Sequence, residues 1–496
     1  MLDRRTFISH SAVISAAMAA LRNTPAVADE PATSRPIGSG ETVRVAIVGL
    51  GGRGGDHIKG LTGNFGCEVV AICDADSKAA GNAMRAIAKK QKTEPKFYQD
   101  MRKLLEDKSI DAVSFATPNH WHALGAIWAM QAGKHVYSEK PASHNVLEGR
   151  RMIEAARKYK LICQVGTQSR SMPGMRDAMA YVHDGKLGKV KLSYGTCYKR
   201  RKSIGDVGRK KGEQQVPDSV DYDLWCGPAR KLPVMREKFH YDWHWFWEYG
   251  NGDLGNQGVH EMDKARWGLQ KNELPRSVVS FGGRFGYLDD GETANTQLAV
   301  FDYGDGELVF EVRGLETDSP YPGKLGGKRG SGFVGNVYYG DKGILVCPSY
   351  TGGVVLDPDL KEVTRFQSKD DGQHYENFVK AIRSGKYTDL NCDVSEGHLS
   401  AALCHLANIS LRLGKQMPVG ELKEIAGSKE ANEILKKMFA HLKETKKEVE
   451  LSETPCFYGP LLPIDPKKEQ FTGNNEKANS MLTREYRKGF EITDKV

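Results

Sequence analysis

The feature that most constrains the fold of this chain is an apolar run that passes directly into a glycine-rich turn. Residues 43–48 read VRVAIV and GLGGRG follows, so that Gly49, Gly51 and Gly54 fit the pattern G-x-G-x-x-G. Glycines at these positions permit a tight strand-to-helix turn and let the backbone approach a pyrophosphate at the helix N-terminus. The motif predicts a dinucleotide-binding domain; a flexible glycine loop is the alternative.

Further strand-like runs show how this domain continues. They are EVVAIC (68–73), IDAVSFA (110–116), KHVY (134–137) and LICQVG (161–166), with helix-like segments between them. Strands that alternate with helices predict a parallel sheet covered on both faces, as in a doubly wound α/β fold. From about residue 190 the strand-like runs are longer, and YGDG at 303–306 is typical of a hairpin turn. The second domain is therefore predicted to be α+β with a mostly antiparallel sheet.

Later helical segments complete the predicted organisation. Two of them, 374–385 and 395–414, end at glycine, and a third places Ile434, Leu435, Met438 and Leu442 on one face. The predicted units are a signal segment (1–28), a linker (29–42), the dinucleotide-binding domain (43–166), a C-terminal domain for substrate and oligomer contacts (167–420) and a helical tail (421–496).

The first segment is typical of an export signal. Arg4 and Arg5 precede an apolar stretch over 12–21, and AVA at 26–28 supplies a small-x-small cleavage pattern. Paired arginines indicate the twin-arginine (Tat) pathway, which exports proteins already folded, and so predict a periplasmic location. An amphipathic first helix is the weaker alternative, because the stretch has no polar face.

Composition excludes several classes of function. Beyond residue 30 no apolar run approaches the roughly 20 residues that span a bilayer, so we expect no membrane span in the mature protein. The net charge of +8 over 496 residues is modest, and lysine-rich stretches alternate with acids, so no nucleic-acid partner is expected. The nine cysteines show no C-x-x-C pair or zinc-like spacing and are expected to be buried free thiols, with no metal bound.

Two strand ends carry candidate cofactor contacts. Asp74 closes the second strand 20 residues after Gly54, where its carboxylate can accept hydrogen bonds from the adenosine ribose. Because a carboxylate would repel a 2′-phosphate, NAD is favoured over NADP; a helix cap is the alternative role. The next candidate, TPNHWHA at 117–123, follows a strand end, where ligands of open parallel sheets gather.

Together with GKHVYSEKPASHN and GNQGVHEMDKARW, these motifs resemble the glucose-fructose oxidoreductase, inositol dehydrogenase and rhizopine-catabolism family (Gfo/Idh/MocA), over roughly residues 43–415. The resemblance implies a Rossmann-type NAD(P) domain, a C-terminal domain with a large open sheet, a homodimer or homotetramer and a cis peptide before Pro141. The implied cofactor contacts are Gly49, Gly51, Gly52, Arg53, Gly54, Asp74, Thr117, Pro118, Asn119, His122, Glu139 and Lys140.

The resemblance also implies catalytic roles. Lys140 matches the family lysine beside the nicotinamide; with an ordinary pKa of about 10.4 it is cationic and can stabilise a developing alkoxide. His260 matches the family histidine that exchanges the alcohol proton. Many family dehydrogenases have Asp four residues before this histidine, but here Asn256 stands there and cannot exchange a proton. Asp253, one turn earlier, is a possible replacement.

Three further side chains, His244, Gln168 and Arg170, are candidate substrate contacts. The segment 240–249 holds six aromatic residues and two histidines, and we expect about half of the aromatics to be core and His244 to face a sugar. A metal site at His240 and His244 is a weak alternative, because no further ligand completes it. Gln168 and Arg170 follow a strand end over the cleft and, with Asp253 and His260, complete the predicted substrate set.

These observations leave three functions open. The first is an NAD-dependent oxidoreductase acting on a sugar, polyol or glycoside hydroxyl. The second is a redox-neutral NAD-dependent glycosidase or 3-keto-glycoside lyase. Two features favour it: export away from the cytoplasmic cofactor pool, and Asn256. The third is a non-catalytic NAD- or sugar-binding protein, disfavoured because Lys140 and His260 are both present.

Overall fold

The computed structural model describes residues 35–38, 40–320, 330–370, 372–445, 451, 454–493 and 496. The predicted export signal and residues 29–34 and 39 of the linker lie outside the described residues. The described chain forms two sheets with helices packed against both. No helix within it is long and apolar enough to cross a bilayer.

The first sheet is parallel throughout and has six strands. They are β1 (Val43–Val48), β2 (Cys67–Cys73), β3 (Lys96–Tyr98), β4 (Ala112–Phe115), β5 (His135–Ser138) and β6 (Cys163–Val165), in the order β3-β2-β1-β4-β5-β6. This is the doubly wound order with a switch point between β1 and β4, where ligands bind at the carboxyl ends of the strands. The predicted parallel sheet is confirmed.

The second sheet has twelve strands. They are β7 (Val190–Tyr198), β8 (Ser277–Gly283), β9 (Thr296–Asp302), β10 (Glu307–Arg313), β11 (Phe333–Gly340), β12 (Gly343–Cys347), β13 (Gly352–Leu356), β14 (Glu362–Gln367), β15 (Lys415–Pro418), β16 (Pro455–Tyr458), β17 (Leu462–Asp465) and β18 (Gln470–Phe471). Its pairs are antiparallel except β7 with β10. The predicted hairpin at 303–306 joins β9 to β10, with Gly304 at φ 85°.

Helices cover both sheets. They are α1 (Gly52–Leu61), α2 (Ala79–Ala88), α3 (Met101–Leu105), α4 (Asn119–Gln131), α5 (Val146–Lys158), α6 (Pro173–His183), α7 (Val207–Lys211), α8 (Tyr222–Cys226), α9 (Val259–Gly268), α10 (Gln373–Ser384), α11 (Val394–Arg412), α12 (Lys429–Glu444) and α13 (Glu476–Ser480). The amphipathic tail helix is confirmed as α12, whose predicted apolar residues are all buried beside β8 and β9.

Helix α10 returns from the second sheet to cover the first. Its residues Tyr375, Phe378 and Ile382 pack in one buried cluster with Val43 of β1 and Tyr137 of β5. Helix α11 packs against α5 and also against β8 of the second sheet. The two sheets therefore share covering helices from one stretch of chain, and burial of these apolar faces holds them together.

The segment after α13 crosses back over the N-terminal domain. Phe490 packs edge-on against Trp121 and close to Trp128 of α4, with ring centroids 5.7 Å and 6.0 Å apart. The Tyr486 hydroxyl lies 3.2 Å from Glu148 Oε1 of α5, and Lys158 Nζ donates to the carbonyl of Val496 at 2.7 Å. The segment after α13 thus packs against the first domain and hydrogen-bonds to it.

All nine cysteines are buried and unbridged, which confirms the prediction of free thiols. Cys73 in β2 and Cys163 in β6 show the reason, since both lie among apolar neighbours in one buried cluster. Burial raises the pKa of Cys67 to about 12, so this thiol is un-ionised at neutral pH.

Replacing Phe490 with alanine tests the contribution of the C-terminal segment. Phe490 is 4% exposed, so the substitution leaves a cavity beside two tryptophans and should lower the free energy of unfolding by about 3–5 kcal/mol. Urea unfolding followed by circular dichroism measures this loss. Leu288→Ala, at a side chain that is 80% exposed, is the control and should change stability by no more than about 0.5 kcal/mol. Equal effects would contradict a structural role for the segment.

Candidate active site

Each of the three motif glycines in the turn after β1 meets a different local requirement. Gly49 has φ 87°, and a Cβ there would lie 2.7 Å from the backbone of Ala116. A Cβ on Gly54 would lie 2.1 Å from the carbonyl oxygen of Gly49. Gly51 caps α1 and a Cβ on it would contact nothing within 4 Å, so this position faces open space. The turn therefore leaves room for a phosphate at the first N–H groups of α1.

Asp74 joins this turn to the end of β2. Its Oδ2 accepts a hydrogen bond from the backbone N–H of Leu50 at 2.8 Å, and its Oδ1 accepts one from Asp76 at 2.9 Å. Burial raises the pKa of Asp74, and these two donors oppose that effect. The carboxylate is thus fixed beside the glycine turn, at the position where the sequence predicts a ribose contact.

A cavity of about 660 Å³ extends along the carboxyl ends of the first sheet. Segment 240–244 and Asn256 close it from the side of the second domain. The predicted residues that line it are Gly49, Gly51, Gly52, Arg53, Asp74, Thr117, Pro118, Asn119, His122, Glu139, Lys140, His244 and Asn256. Gly54 lies behind the turn, where its lack of a side chain permits close packing.

Glu139 is a buried carboxylate at the end of β5, 3% exposed. Its Oε1 accepts hydrogen bonds from Arg53 Nε at 2.7 Å and Gln168 Nε2 at 3.2 Å, and lies 3.2 Å from His57 Nε2. Burial by itself would raise the pKa of Glu139, but Arg53 and His57 outweigh it and hold the pKa well below its ordinary value. The group is therefore an anion beneath the cavity.

His57 is a contact that the sequence did not predict. Burial lowers the pKa of this histidine, so it is neutral, with Nδ1 2.8 Å from the Ser114 hydroxyl. Since ionised Glu139 only accepts, Nε2 of His57 carries the proton and Nδ1 accepts from Ser114. A histidine in the helix after a glycine turn gives no local signal, because its partner lies in a distant strand.

Lys140 follows Glu139 and reaches across to the second domain. Its Nζ donates a hydrogen bond to the backbone carbonyl of Asn256 at 2.7 Å, and the peptide bond to Pro141 is cis, as the resemblance implied. Burial lowers the pKa of Lys140, which the neighbouring Glu139 opposes. The ammonium group therefore lies at the junction of the two domains, on the wall of the cavity.

The carbonyl that receives this bond belongs to a single π-helical turn, Leu254–Gly258, which leads into α9. Such turns occur frequently at functional sites. His260, in the first turn of α9, is 6% exposed, and its ring lies 4.8 Å from that of Tyr350. Its Nδ1 is buried without a hydrogen-bond partner among the described residues. Burial and then the charge of Lys140 hold the pKa of His260 well below its ordinary value, so the imidazole is neutral.

Four of the five predicted substrate residues, Gln168, Arg170, Asp253 and His260, do not line the cavity, and the first three contact other protein groups. Gln168 donates to Glu139, as described above. Arg170 is 7% exposed and pairs with Asp263 at 2.9 Å and with Glu396 at 3.0 Å. Asp253 is 2% exposed and accepts from Arg201 Nε at 2.9 Å. Each is a buried hydrogen-bonding residue beneath the site.

About half of the aromatic side chains in segment 240–249 are buried, as predicted. Trp243, Trp245 and Tyr249 are buried, whereas the other three aromatics are partly or largely exposed. His244 stacks on Trp243 with ring centroids 3.7 Å apart. His240 lies 2.9 Å from Asp76 and so connects this segment to the end of β2. The described residues include no group of three or more side chains that could hold a metal ion.

Family models match both parts of this architecture. An oxidoreductase family model described as an NAD-binding Rossmann fold matches residues 43–167, and one described as a C-terminal alpha/beta domain matches residues 176–445. The chain belongs to the Gfo/Idh/MocA oxidoreductase family. The resemblance inferred from the motifs is thereby confirmed, as are the NAD-binding Rossmann fold and the α/β domain with a large, mostly antiparallel sheet.

Curated relatives that resemble this chain include proteins named as dehydrogenases and proteins named as glycosidases. Inositol 2-dehydrogenase of Salmonella typhimurium is 34% identical over 185 residues, 37% of this chain and 53% of that protein. A glycosyl hydrolase family 109 protein of Saccharopolyspora erythraea is 35% identical over 160 residues, 31% and 35% of the two chains. Alpha-N-acetylgalactosaminidase of Shewanella oneidensis is 29% identical over 178 residues, 33% and 39%. The matches span between about a third and a half of these relatives.

Solved structures share the two-domain fold over greater lengths. The WlbA dehydrogenase from Bordetella pertussis, in complex with NADH and UDP-GlcNAcA, is 20% identical with a TM-score of 0.55 and covers 75% of this chain and 97% of its own. Levoglucosan dehydrogenase, in complex with NADH and levoglucosan, is 18% identical with a TM-score of 0.55 and covers 74% and 96%. At these identities the similarity establishes a common fold.

Adding one methyl group at Gly54 tests the glycine turn. In Gly54→Ala the Cβ would overlap the Gly49 carbonyl, so the turn must move and affinity for NADH should fall by about tenfold or more. Titration of NADH fluorescence measures this change. Gly55→Ala is the matched control: its Cβ meets nothing within 4 Å, so affinity should be retained and the helix slightly stabilised. Unchanged affinity in Gly54→Ala would contradict the proposed phosphate position.

Proposed function

We propose that the protein is an NAD-dependent oxidoreductase that acts on a hydroxyl group of a sugar, polyol or glycoside. The observation that carries the proposal is the bond from Lys140 to the turn that begins the helix of His260. It brings a cation from the first domain and a neutral imidazole from the second to the same domain junction. An alkoxide-stabilising cation and a proton acceptor are what oxidation of an alcohol requires.

The cavity fits a dinucleotide by its donors and by its open space. The first turn of α1, opened by Gly51, would hold the pyrophosphate, and Asp74 would accept from the adenosine ribose. The Asp74 carboxylate would repel a 2′-phosphate, which supports NAD over NADP. When bound there, the nicotinamide supplies the acceptor for a hydride from the substrate carbon.

Lys140 and His260 have the two remaining roles, which are charge stabilisation and proton transfer. The Lys140 ammonium can donate a hydrogen bond to a substrate oxygen as negative charge develops on that oxygen. Because burial desolvates Lys140, little water screens this interaction, which is therefore stronger. His260, neutral because burial lowers its pKa, supplies an imidazole that can accept the hydroxyl proton. Asn256 lines the cavity and can hydrogen-bond a substrate hydroxyl, but its amide cannot take a proton.

A redox-neutral glycosidase or 3-keto-glycoside lyase is the second candidate. In this reaction a sugar hydroxyl is first oxidised to a ketone, which acidifies the neighbouring C–H. The aglycone is then eliminated, water is added, and return of the same hydride reduces the ketone, so that no net oxidation results. Two observations favour it: Asn256 in place of the aspartate of many family dehydrogenases, and the two glycosidase-named relatives. It would also suit a protein exported with its cofactor, since the starting form of the cofactor is restored in each turnover.

The proposal includes a location and an assembly. Export through the twin-arginine pathway with NAD bound would place the mature protein in the periplasm, as the pattern in residues 1–28 indicates. A homodimer or homotetramer formed through the large sheet would protect its edges and exposed face. In this proposal residues 43–166 bind the cofactor, 167–420 bind the substrate and form the assembly, and 421–496 form the tail.

The pH dependence of turnover tests the role of Lys140. The cation is the active form and burial lowers its pKa, so activity should fall on the alkaline side at a pH below 10.5, the ordinary lysine value. Lys140→Arg should remove this alkaline limb, because arginine does not titrate there, and Lys140→Ala should lower kcat by about 100-fold or more at every pH. Steady-state rates from neutral to alkaline pH are the measurement. An unchanged limb in Lys140→Arg would assign it to another group.

The absorption spectrum of purified protein distinguishes the candidate reactions. It should be recorded before and after addition of sugars and aryl glycosides, without added NAD and with Lys140→Ala as the inactive control. For the proposed oxidoreductase, the band of reduced nicotinamide should appear and persist. Aglycone release with the cofactor finally oxidised would establish the redox-neutral reaction instead. Binding without either change in the wild-type protein would leave only the non-catalytic alternative.

A further inference from the structure

A second cavity, of about 820 Å³, lies beside the cofactor cavity and shares none of its lining residues. The aromatic segment separates the two: Tyr241 and Trp243 face the cofactor side, whereas Trp247 and Tyr249 line the second cavity. Helix α11 and the chain after α13 supply much of the remaining wall. Its volume lies within the range of roughly 300–1,000 Å³ that is typical of small-molecule sites.

The acidic side chains of this cavity are largely engaged. Glu248 pairs with both Arg230 and Arg484. Asp289 pairs with Arg284, which is not a lining residue, and Asp290 accepts from two backbone N–H groups at 2.8 Å and 3.0 Å. Glu292 accepts from the backbone N–H of Trp247 at 2.8 Å and interacts electrostatically with Arg412. Four of the five lining carboxylates therefore have partners; the fifth is Glu485.

Arg236 is a buried cation in this wall without an acidic partner. It is 2% exposed, and its guanidinium lies 4.7 Å from the Trp225 ring and 4.5 Å from that of Phe239. Its Nε donates to the Phe239 carbonyl, while Nη2 is buried without a hydrogen-bond partner among the described residues. Within that part of the chain no carboxylate lies at ion-pair distance. A desolvated cation of this kind is stabilised by a bound anion.

Arg412 adds a second cation, which is exposed and interacts at longer range with Glu292 and Glu248. It extends from the end of α11, with its guanidinium 5.1 Å from the Trp247 ring, and it forms no ion pair with a described residue. Arginine presents a planar fork of N–H donors that matches a carboxylate or another oxyanion. A buried guanidinium with no carboxylate at ion-pair distance, beside an exposed one that forms no ion pair with a described residue, therefore predicts an anionic ligand.

The rest of the wall is suited to a sugar ring. Phe246, Trp247 and Tyr249 provide aromatic surface against which the face of a sugar ring can pack. We propose that the second cavity binds an acidic sugar, a uronate or a short oligosaccharide that contains one, with its carboxylate held by Arg236 and Arg412 and its ring against the aromatic wall. This site is distinct from the catalytic junction at Lys140.

Calorimetric titration of the full-length protein with sodium glucuronate, at constant ionic strength, tests this proposal. Glucuronate should bind at least about tenfold more tightly than glucose or sodium sulfate, because the site requires both the anion and the ring. Arg412→Gln should weaken glucuronate binding by about tenfold. Arg276→Gln, at an exposed arginine that lines neither cavity, is the matched control and should bind like the wild type.

Further arms of the experiment locate the ligand. Lys140→Ala should bind glucuronate normally, so that loss of the proposed catalytic function and loss of this site are distinguishable. Arg236→Gln should also weaken binding, and circular dichroism shows whether that variant is folded; if it is not, Arg412→Gln decides. Equal affinity for glucose and glucuronate, equal affinity for sulfate alone, or loss of binding in Lys140→Ala but not in Arg412→Gln would each overturn the proposal.

Discussion

The site depends on one buried carboxylate. Glu139 is almost fully removed from solvent, and it remains ionised because Arg53, His57 and Gln168 converge on its oxygens. An unpaired charge at such a position would be strongly destabilising. These contacts tie α1, the end of β5 and the start of the second domain to one point. The backbone that they fix is that of Lys140, whose amino group then reaches the π-helical turn before His260.

Helices and ion pairs outside the active site hold the two sheets together. Helices α10 and α11 cover the first sheet although they come late in the sequence, and α11 also packs on β8. Arg170, Asp263 and Glu396 form buried ion pairs beneath His260, with the Ser400 hydroxyl donating to Asp263 at 2.7 Å. Rigid support of this kind holds the imidazole and the ammonium at fixed positions, which catalysis by positioned groups requires.

Sequence reasoning succeeded where the structural requirement is local. The turn at Gly49 to Gly54, the alternation of strands with helices and the glycine-terminated helices each reflect short-range geometry. It could not identify His57 or Tyr350, since their partners Glu139 and His260 lie 82 and 90 positions away in the chain. Arg170 was expected at the cleft because it follows a strand end, and Asp253 because it lies one turn before Asn256 and could replace the family aspartate. Their ion-pair partners, Asp263 and Arg201, come from tertiary packing that no local pattern encodes.

The C-terminal segment has a consequence for the order in which the protein can be completed. Phe490, Ile492 and Val496 belong to the same buried cluster as Ala46 of β1 and Val113 of β4. During synthesis the first strands emerge long before these residues, so the core of the first domain is finished only after the second domain has been made. N-terminal domains commonly fold first during synthesis. Here the domain that emerges first must wait for a segment that follows the second domain to acquire its last core side chains.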